Sequence, residues 1–405
     1  MSPSVVSSPQ DRLEQLLAES ATHAAARESQ AFDRAAAPFE SRIVIYGAGR
    51  LGRRMLAGLR TNGLDALAFV DRNPAAWTTT IEGVPVLAPE NAARRFGTDA
   101  VFVVAVWHPV VSGGVHAIVA QLTALGCRRV APFVLLSWKY PREFLPNFLW
   151  DLPSRALADA PRVRQAFGLF HGARSQAEFL RQLEFRLTAD FGCLQLPDGD
   201  PQYFPGRLFR PLPDEYFVDC GAYTGDTLLE FADWTQGRFR GALSLEADPG
   251  NFTALRNTIA GDDRLRGRVR AVCEAVGRER CTLRFAASGL ASAALSPDGD
   301  LEVRCSPLDD LLADESPTYI KMDIEGAELD ALDGTAAVLR RSRPALAICA
   351  YHLQDHLWRI PQRISHLMPE GRLLLRPHFA DGFDLVCYAI PHGRSLDLSL
   401  EDAEG

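Results

Sequence analysis

Twice along this chain of 405 residues, a short apolar run breaks into a glycine-punctuated turn and then a helical pattern. The first instance is Ile43-Val44-Ile45-Tyr46 leading into Gly47-Ala48-Gly49-Arg50-Leu51-Gly52. The second is Tyr216-Phe217-Val218-Asp219 leading into Cys220-Gly221-Ala222-Tyr223-Thr224-Gly225-Asp226. A continuous apolar run suits a strand covered on both faces, and glycine lets the chain turn sharply into the covering helix. Each start is followed by further runs of this kind: 67–71, 83–86, 101–106 and 129–133 after the first, then 241–246, 269–272, 319–323 and 345–348 after the second. Strand-like runs alternating with helical patterns specify βαβ units and parallel sheets. The expected fold is therefore α/β, with two doubly wound, Rossmann-like domains.

The second series closes with Arg372-Leu373-Leu374-Leu375-Arg376 and then Asp384-Leu385-Val386-Cys387-Tyr388-Ala389. The Gly-containing connection between these runs has no room for a helix, which predicts an antiparallel hairpin. A parallel sheet finished in this way is the layout of class I methyltransferases. The expected divisions are a helical segment over 1–40, a Rossmann-like domain over 41–137, a helical linker over 138–212, a second α/β domain over 213–392 and a tail over 393–405. The linker is expected to pack on the second domain.

Composition narrows the partners. Hydrophobic residues at 47% and charged residues at 23% support two ordinary cores without staples. The eight cysteines are scattered singly, without the paired spacing of a zinc site or a disulfide framework, and read as buried thiols in a reducing compartment. A net charge of -8 and the lack of a Lys/Arg stripe weigh against nucleic acid as a main partner, and none is expected. The first residues lack the basic start and apolar run of a secretory leader, and no stretch reaches the ~20 apolar residues of a membrane span, so the expected location is cytoplasmic. The oligomeric state is left open, an oligomer included.

The second turn is a candidate cofactor site. Asp219 ends a strand, Gly221 permits the turn, and Gly225 lets backbone approach a ligand at a helix start, with Tyr223 and Asp226 in the same loop. Glu246 ends the next strand, where a carboxylate accepts ribose hydroxyls. D-x-G-x-x-x-G begins with an acid and lacks the close glycine pair that a pyrophosphate requires. S-adenosylmethionine has no pyrophosphate but carries an ammonium, which Asp219 is expected to help position, directly or through water. Glu274 and Ala275 follow the third strand, where adenine is usually held. Lys321-Met322-Asp323-Ile324-Glu325-Gly326-Ala327-Glu328 then crowds three carboxylates and a lysine at the end of the fourth strand. No metal is expected, although Asp323 with a neighbour is where magnesium would fit. Glu328, a turn into the helix, is as consistent with facing solvent or pairing with a cation as with a site role.

That segment, read on as KMDIEGAELDALDG, resembles the K-x-D-x-E-G-x-E signature of the FkbM family of methyltransferases. Ser306-Pro307-Leu308-Asp309-Asp310 resembles its preceding T-L-D-D element. The resemblance covers about residues 213–391. Gln202-Tyr203-Phe204-Pro205 and Tyr351-His352 look like a two-domain branch with an N-terminal Rossmann-like nucleotide-binding domain. Thr224 stands where that branch often has Asp, which makes it a poor candidate for an essential role. The resemblance implies methyl transfer from S-adenosylmethionine to an oxygen, commonly a hydroxyl on a sugar or secondary metabolite. The acceptor would then be a small molecule or glycan. A base must take the hydroxyl proton. His352 is the first candidate, with Asp323 and Glu325 as rivals, and Asp323 also belongs to the cofactor set. Arg376 and His378 are expected to line the acceptor pocket.

In the first domain, Gly47, Gly49 and Gly52 complete a G-x-G-x-x-G between strand and helix, Asp71 ends the next strand, and Arg50 or Arg53 would sit near phosphates. A nucleotide or nucleotide sugar is the expected second ligand. Two alternatives stand beside methyl transfer: an NAD(P)-dependent sugar-nucleotide oxidoreductase built on this first turn, and a non-catalytic nucleotide-sensing module.

Overall fold

In the computed structural model, residues 8–106, 113–195, 197, 199–286, 294–295, 301–394 and 396 are described. They form two compact units that are discontinuous in sequence. One gathers residues 1–160, 180–196 and 379–383, and the other 161–179, 197–378 and 384–405. The expected 138–212 linker is thus divided between the units rather than assigned whole to the second. Its polar ties explain part of this: within the first unit Arg12 pairs with Glu184 at 2.6 Å and Arg27 donates to the Leu187 carbonyl at 3.0 Å.

In the first unit the strands are β1 (Ile43–Tyr46), β2 (Ala66–Val70), β3 (Thr80–Ile81), β4 (Val84–Leu87), β5 (Val101–Val104) and β6 (Arg129–Pro132), in the sheet order β3-β4-β2-β1-β5-β6. All pairings are parallel except β3 with β4. Strand alternation sends Ile43 and Ile45 to one face, against Met55, Leu56 and Leu59 of the helix Arg50–Thr61. Val44 and Tyr46 go to the other, against Ile118 and Leu122 of the helix Gly114–Ala124. Both faces are covered, which is why the run reads as continuously apolar. Each such side chain contributes about 1.5–3 kcal/mol when fully buried. The leading helices Pro9–Leu16 and Ala21–Ala36 belong to this unit, with Phe32 and Ala36 inside its core.

The second unit begins with β7 (Tyr216–Cys220), β8 (Gly241–Leu245) and β9 (Val269–Val272). A smaller sheet follows, from β10 (Ala275–Val276), β11 (Cys281–Ala286), β12 (Ala294–Leu295) and β13 (Leu301–Ser306). The main sheet resumes with β14 (Tyr319–Met322), β15 (Ala345–Cys349), β16 (Gly371–Pro377) and β17 (Leu385–Pro391), and its order is β16-β17-β15-β14-β7-β8-β9. Its first five strands in sequence run parallel, whereas β17 is antiparallel to both β15 and β16. The antiparallel closing hairpin is therefore present as expected. Phe217 of β7 and Tyr319 of β14 join Phe204, Phe209, Phe231 and Trp234 in an aromatic cluster, with Phe217 stacked on Phe231 at 4.7 Å.

Candidate active site

The turn after β7 is held by backbone geometry that its residues make affordable. Gly221 has φ +80°, and a Cβ there would lie 1.9 Å from the Asp323 carbonyl, so the ends of β7 and β14 meet backbone to backbone. Gly225, at φ +90°, precedes the helix Asp226–Trp234. Its missing Cβ faces Leu255 and Thr258 at 3.1 Å, so its small size serves packing against the helix Pro249–Gly261 rather than approach of a ligand. That corrects the reason expected for this glycine. Tyr223 takes a positive φ of 47°, and Asp226 is exposed at the helix start, where the dipole favours an acid.

Glu246, just past β8, fastens the turn. One oxygen accepts the Tyr223 N–H and the other the Asp248 N–H, both at 2.8 Å. Burial pushes its carboxyl up, and these two bonds pull against that. Each oxygen keeps a further lone pair for a ligand hydroxyl. Asp71 in the first unit repeats the device: its oxygens accept the Ala48 N–H at 3.1 Å and the Asn73 N–H at 2.8 Å.

Asp219 faces inward. It is fully buried, and its Oδ1 lies 3.0 Å from the equally buried Lys321 ammonium, which also donates to the Gly221 carbonyl at 2.6 Å. Burial disfavours the ammonium, but Asp219 and then Asp323 outweigh it and hold Lys321 above the usual amine range. The register Lys321↔Asp219 across β14 and β7 dictates the pair. Direct contact between Asp219 and a cofactor ammonium is therefore replaced by an internal partner. Glu274 is buried beside Ala275 at the smaller sheet, accepts the Ser306 hydroxyl at 2.7 Å and pairs with Arg304 at 3.1 Å.

The end of β14 meets the end of β15 in a hydrogen-bonded cluster. Asp323 accepts from the Tyr203 hydroxyl at 2.8 Å and the Tyr351 hydroxyl at 3.4 Å, and its Oδ1 lies 3.2 Å from His352 Nε2. His352 Nδ1 is 2.8 Å from Glu328, whose other oxygen faces His356 at 3.3 Å. Glu328 is fully buried, which corrects the solvent-facing alternative, and it also accepts the Ile324 N–H at 2.9 Å. Glu325, at φ +56°, stands 3.9 Å from His352.

Burial alone would lower the His352 pKa, but Glu328 and Asp323 outweigh it and raise it well above the ordinary imidazole range. Burial opposes ionisation of Asp323, yet His352, Lys321 and Tyr203 hold it well below the usual carboxylate range. An imidazolium cannot accept a proton, so this environment weighs against His352 as the base. Asp323, Glu328 and His352 offer one ligand atom each within 4.8 Å of one another. Both ring nitrogens already face carboxylates, however, which is the arrangement of a hydrogen-bond relay rather than of an oxygen-rich magnesium cage.

Arg376 is buried and bonded to Ser175 Oγ at 2.9 Å and to the Leu375 carbonyl at 2.8 Å, so its guanidinium is committed to the interior instead of lining a pocket. Ser175, 201 residues away in sequence, gives no local signal of this. His378 is partly buried, 2.8 Å from the Tyr388 hydroxyl, and burial pushes it down to about 4. Tyr203, Tyr351 and Glu328 sit at the centre of the site. The first two were visible only as resemblance elements, and Asp384, which hydrogen-bonds Tyr351, carried no motif at all.

In the first unit, Gly52 lacks room for a Cβ, which would fall 1.9 Å from the Gly47 carbonyl, and Gly47 itself turns at φ +117°. Gly49 is different: a Cβ there would meet nothing within 4 Å, and Gly49 and Arg50 are exposed at the start of the helix. Among the described residues no helix is long and apolar enough to cross a membrane.

A family model described as the methyltransferase FkbM domain matches residues 219–372. No curated protein matches the sequence. Among solved structures, the chain is similar to a methyltransferase FkbM from Methylobacillus flagellatus KT, at 23% identity and a TM-score of 0.74, covering 94% of this chain and 100% of that one. This likeness extends the shared fold beyond the matched domain. Two weaker similarities are to precorrin-6y C5,15-methyltransferase from Geobacter metallireducens GS-15 (15% identity, 44% of this chain and 80% of that one, TM-score 0.28) and to UDP-D-quinovosamine 4-dehydrogenase from Vibrio fischeri (24%, 23% and 76%, TM-score 0.19). Scores this low carry no argument.

Proposed function

From the match of residues 219–372 to the FkbM methyltransferase domain model, we propose that the protein transfers a methyl group from S-adenosylmethionine to a hydroxyl of a sugar, glycan or nucleotide sugar. The observation that carries this reading is the Glu246 carboxylate. It lies at the carboxyl edge of the sheet, its two oxygens oriented by Tyr223 and Asp248, with lone pairs left for ribose hydroxyls. The chemistry of the turn fits a nucleoside without phosphates. Asp226 adds negative charge, and the nearby Lys321 is consumed by Asp219 and the Gly221 carbonyl. Glu274 and Ala275 at the smaller sheet suit the adenine side. When bound, S-adenosylmethionine supplies an electrophilic methyl group.

The chain's own residues would do the rest. The turn orients the cofactor, and Asp323, locked by Tyr203 and His352, fixes the floor between cofactor and acceptor. His352 acts as an imidazolium that holds Asp323 in place. A second ligand, a nucleotide or nucleotide sugar, would lie in the first unit at the turn between Gly47 and Gly52, which Asp71 holds as Glu246 holds its own turn.

Calorimetry with S-adenosylmethionine and S-adenosylhomocysteine tests the cofactor. Micromolar binding is expected, weakened at least tenfold in Glu246→Ala; no binding, or binding untouched by that change, would overturn the reading. Label from methyl-labelled S-adenosylmethionine should enter a cell glycan extract.

A further inference from the structure

The closing hairpin brings one more carboxylate to the ligand-binding edge. Asp384 immediately precedes β17, and its carbonyl accepts the His378 N–H at 3.0 Å, closing the mouth of the hairpin. The next carbonyl, that of Leu385, accepts the Ala350 N–H at 2.8 Å, which sets Asp384 beside the exit of β15 toward Tyr351 and His352. Its backbone is left-handed, with φ +49°. The side chain is partly exposed and hydrogen-bonds the Tyr351 and Gln202 side chains, both uncharged. Tyr351 in turn reaches Asp323 at 3.4 Å. Asp384 therefore shares the edge at which Gly221, Glu246 and Asp323 end their strands, three strands from the cofactor turn, where an acceptor would enter.

The other candidates face charged partners. Asp323 is engaged by Tyr203, Tyr351 and His352. His352 stands between two carboxylates, and Glu325 faces it at 3.9 Å. We propose that Asp384 is the catalytic residue that takes the proton from the acceptor hydroxyl, an inference that rests on the methyl-transfer reading above. The hydroxyl oxygen gains the methyl carbon as the carbon–sulfur bond gives its electron pair to sulfur, and the hydroxyl proton passes to the Asp384 carboxylate. Its exposed edge then returns the proton to solvent.

The charges around Asp384 agree with this role. Burial and the neighbouring Asp323 charge push its carboxyl up to about 6, against opposing contributions from Tyr351, His352 and Gln202. It is then more basic than an ordinary carboxylate and still ionised at neutral pH.

The test compares wild type, Asp384→Asn and Asp384→Glu. It measures initial rates of labelled-methyl transfer into a cell glycan extract from pH 5 to 9, binding of S-adenosylhomocysteine by calorimetry, and titration of the aspartate carboxyl carbons by NMR. Asp384→Asn is expected to slow transfer about 10²–10³-fold, to bind S-adenosylhomocysteine within about twofold of wild type, and to lose both the acidic limb near pH 6 and one carboxyl resonance titrating there. Asp384→Glu should recover part of the rate with a displaced limb. Transfer by Asp384→Asn within about threefold of wild type, a limb that persists in it, or a lost resonance that titrates as an ordinary aspartate would overturn the assignment. Failure of wild type to bind S-adenosylhomocysteine would sink the methyltransferase reading itself. Binding without transfer would sink the acceptor class. Either would remove the proposal with it, and the two are distinguishable.

Discussion

Replacing Lys321 by Met should be among the most damaging single changes in the second unit. The ammonium is 2% exposed and its partner Asp219 0%, at 3.0 Å. Removing one member of such a pair leaves a bare buried charge, which costs about 3–5 kcal/mol. The bond to the Gly221 carbonyl at 2.6 Å adds about 1 kcal/mol. Urea unfolding followed by tryptophan fluorescence, on Lys321→Met, Asp219→Asn and the double variant, would measure this. Each single change should cost several kcal/mol, and the double should cost at least about 2 kcal/mol less than their sum. The pH dependence has a definite sign. Without the lysine, Asp219 has a folded pKa above its unfolded value near 3.9, so the folded state binds the proton more tightly. Stability is then retained below about pH 4 and lost at up to about 1.4 kcal/mol per unit as pH rises through the folded pKa. The deficit against wild type should be smaller at pH 4.5 than at pH 7.5. A cost below about 1 kcal/mol at neutral pH, or strict additivity in the double variant, would refute the reasoning.

Two further outcomes follow from the same geometry. Gly221→Ala places a methyl 1.9 Å from the Asp323 carbonyl at a φ of +80°. The conformation alone costs about 1–2 kcal/mol, and the displaced backbone should weaken S-adenosylhomocysteine more than tenfold by calorimetry. Gly261→Ala, with nothing within 4 Å of its Cβ, should bind normally. His352 has a folded pKa raised by Glu328 and Asp323, so its contribution is complete below its unfolded value near 6.5 and fades as pH rises through the folded one. The stability difference between wild type and His352→Gln should therefore be largest near pH 6 and shrink toward pH 9; a difference that grows with pH would count against the imidazolium.

Much of the fold was legible because buried parallel strands leave continuous apolar runs. The runs at 43–46, 101–106, 216–219 and 345–348 read as strands for that reason, and strands stand there. The smaller sheet did not, since β11 carries Thr282 and Arg284 among its apolar residues and presents no buried run. The unit boundary inside the helix Ala173–Thr188 is set by contacts far apart in sequence and leaves no compositional mark. At the site, turn residues were legible because a sharp strand-to-helix reversal demands glycine. Side-chain direction was not: Asp219 and Arg376 look like ligand groups until register and packing turn them inward. Asp384 went unread because a lone acid at a hairpin mouth acquires meaning only from Tyr351 and Asp323 across the strands.

Glu246 and Asp71 each close a turn with the same oxygens that the proposed ligands would meet. Affinity and architecture are therefore not separately adjustable at these two positions. A shorter or neutral side chain would loosen the loop before it altered the choice of ligand. New specificity would have to come from the periphery, through residues that touch the ligand without holding the backbone.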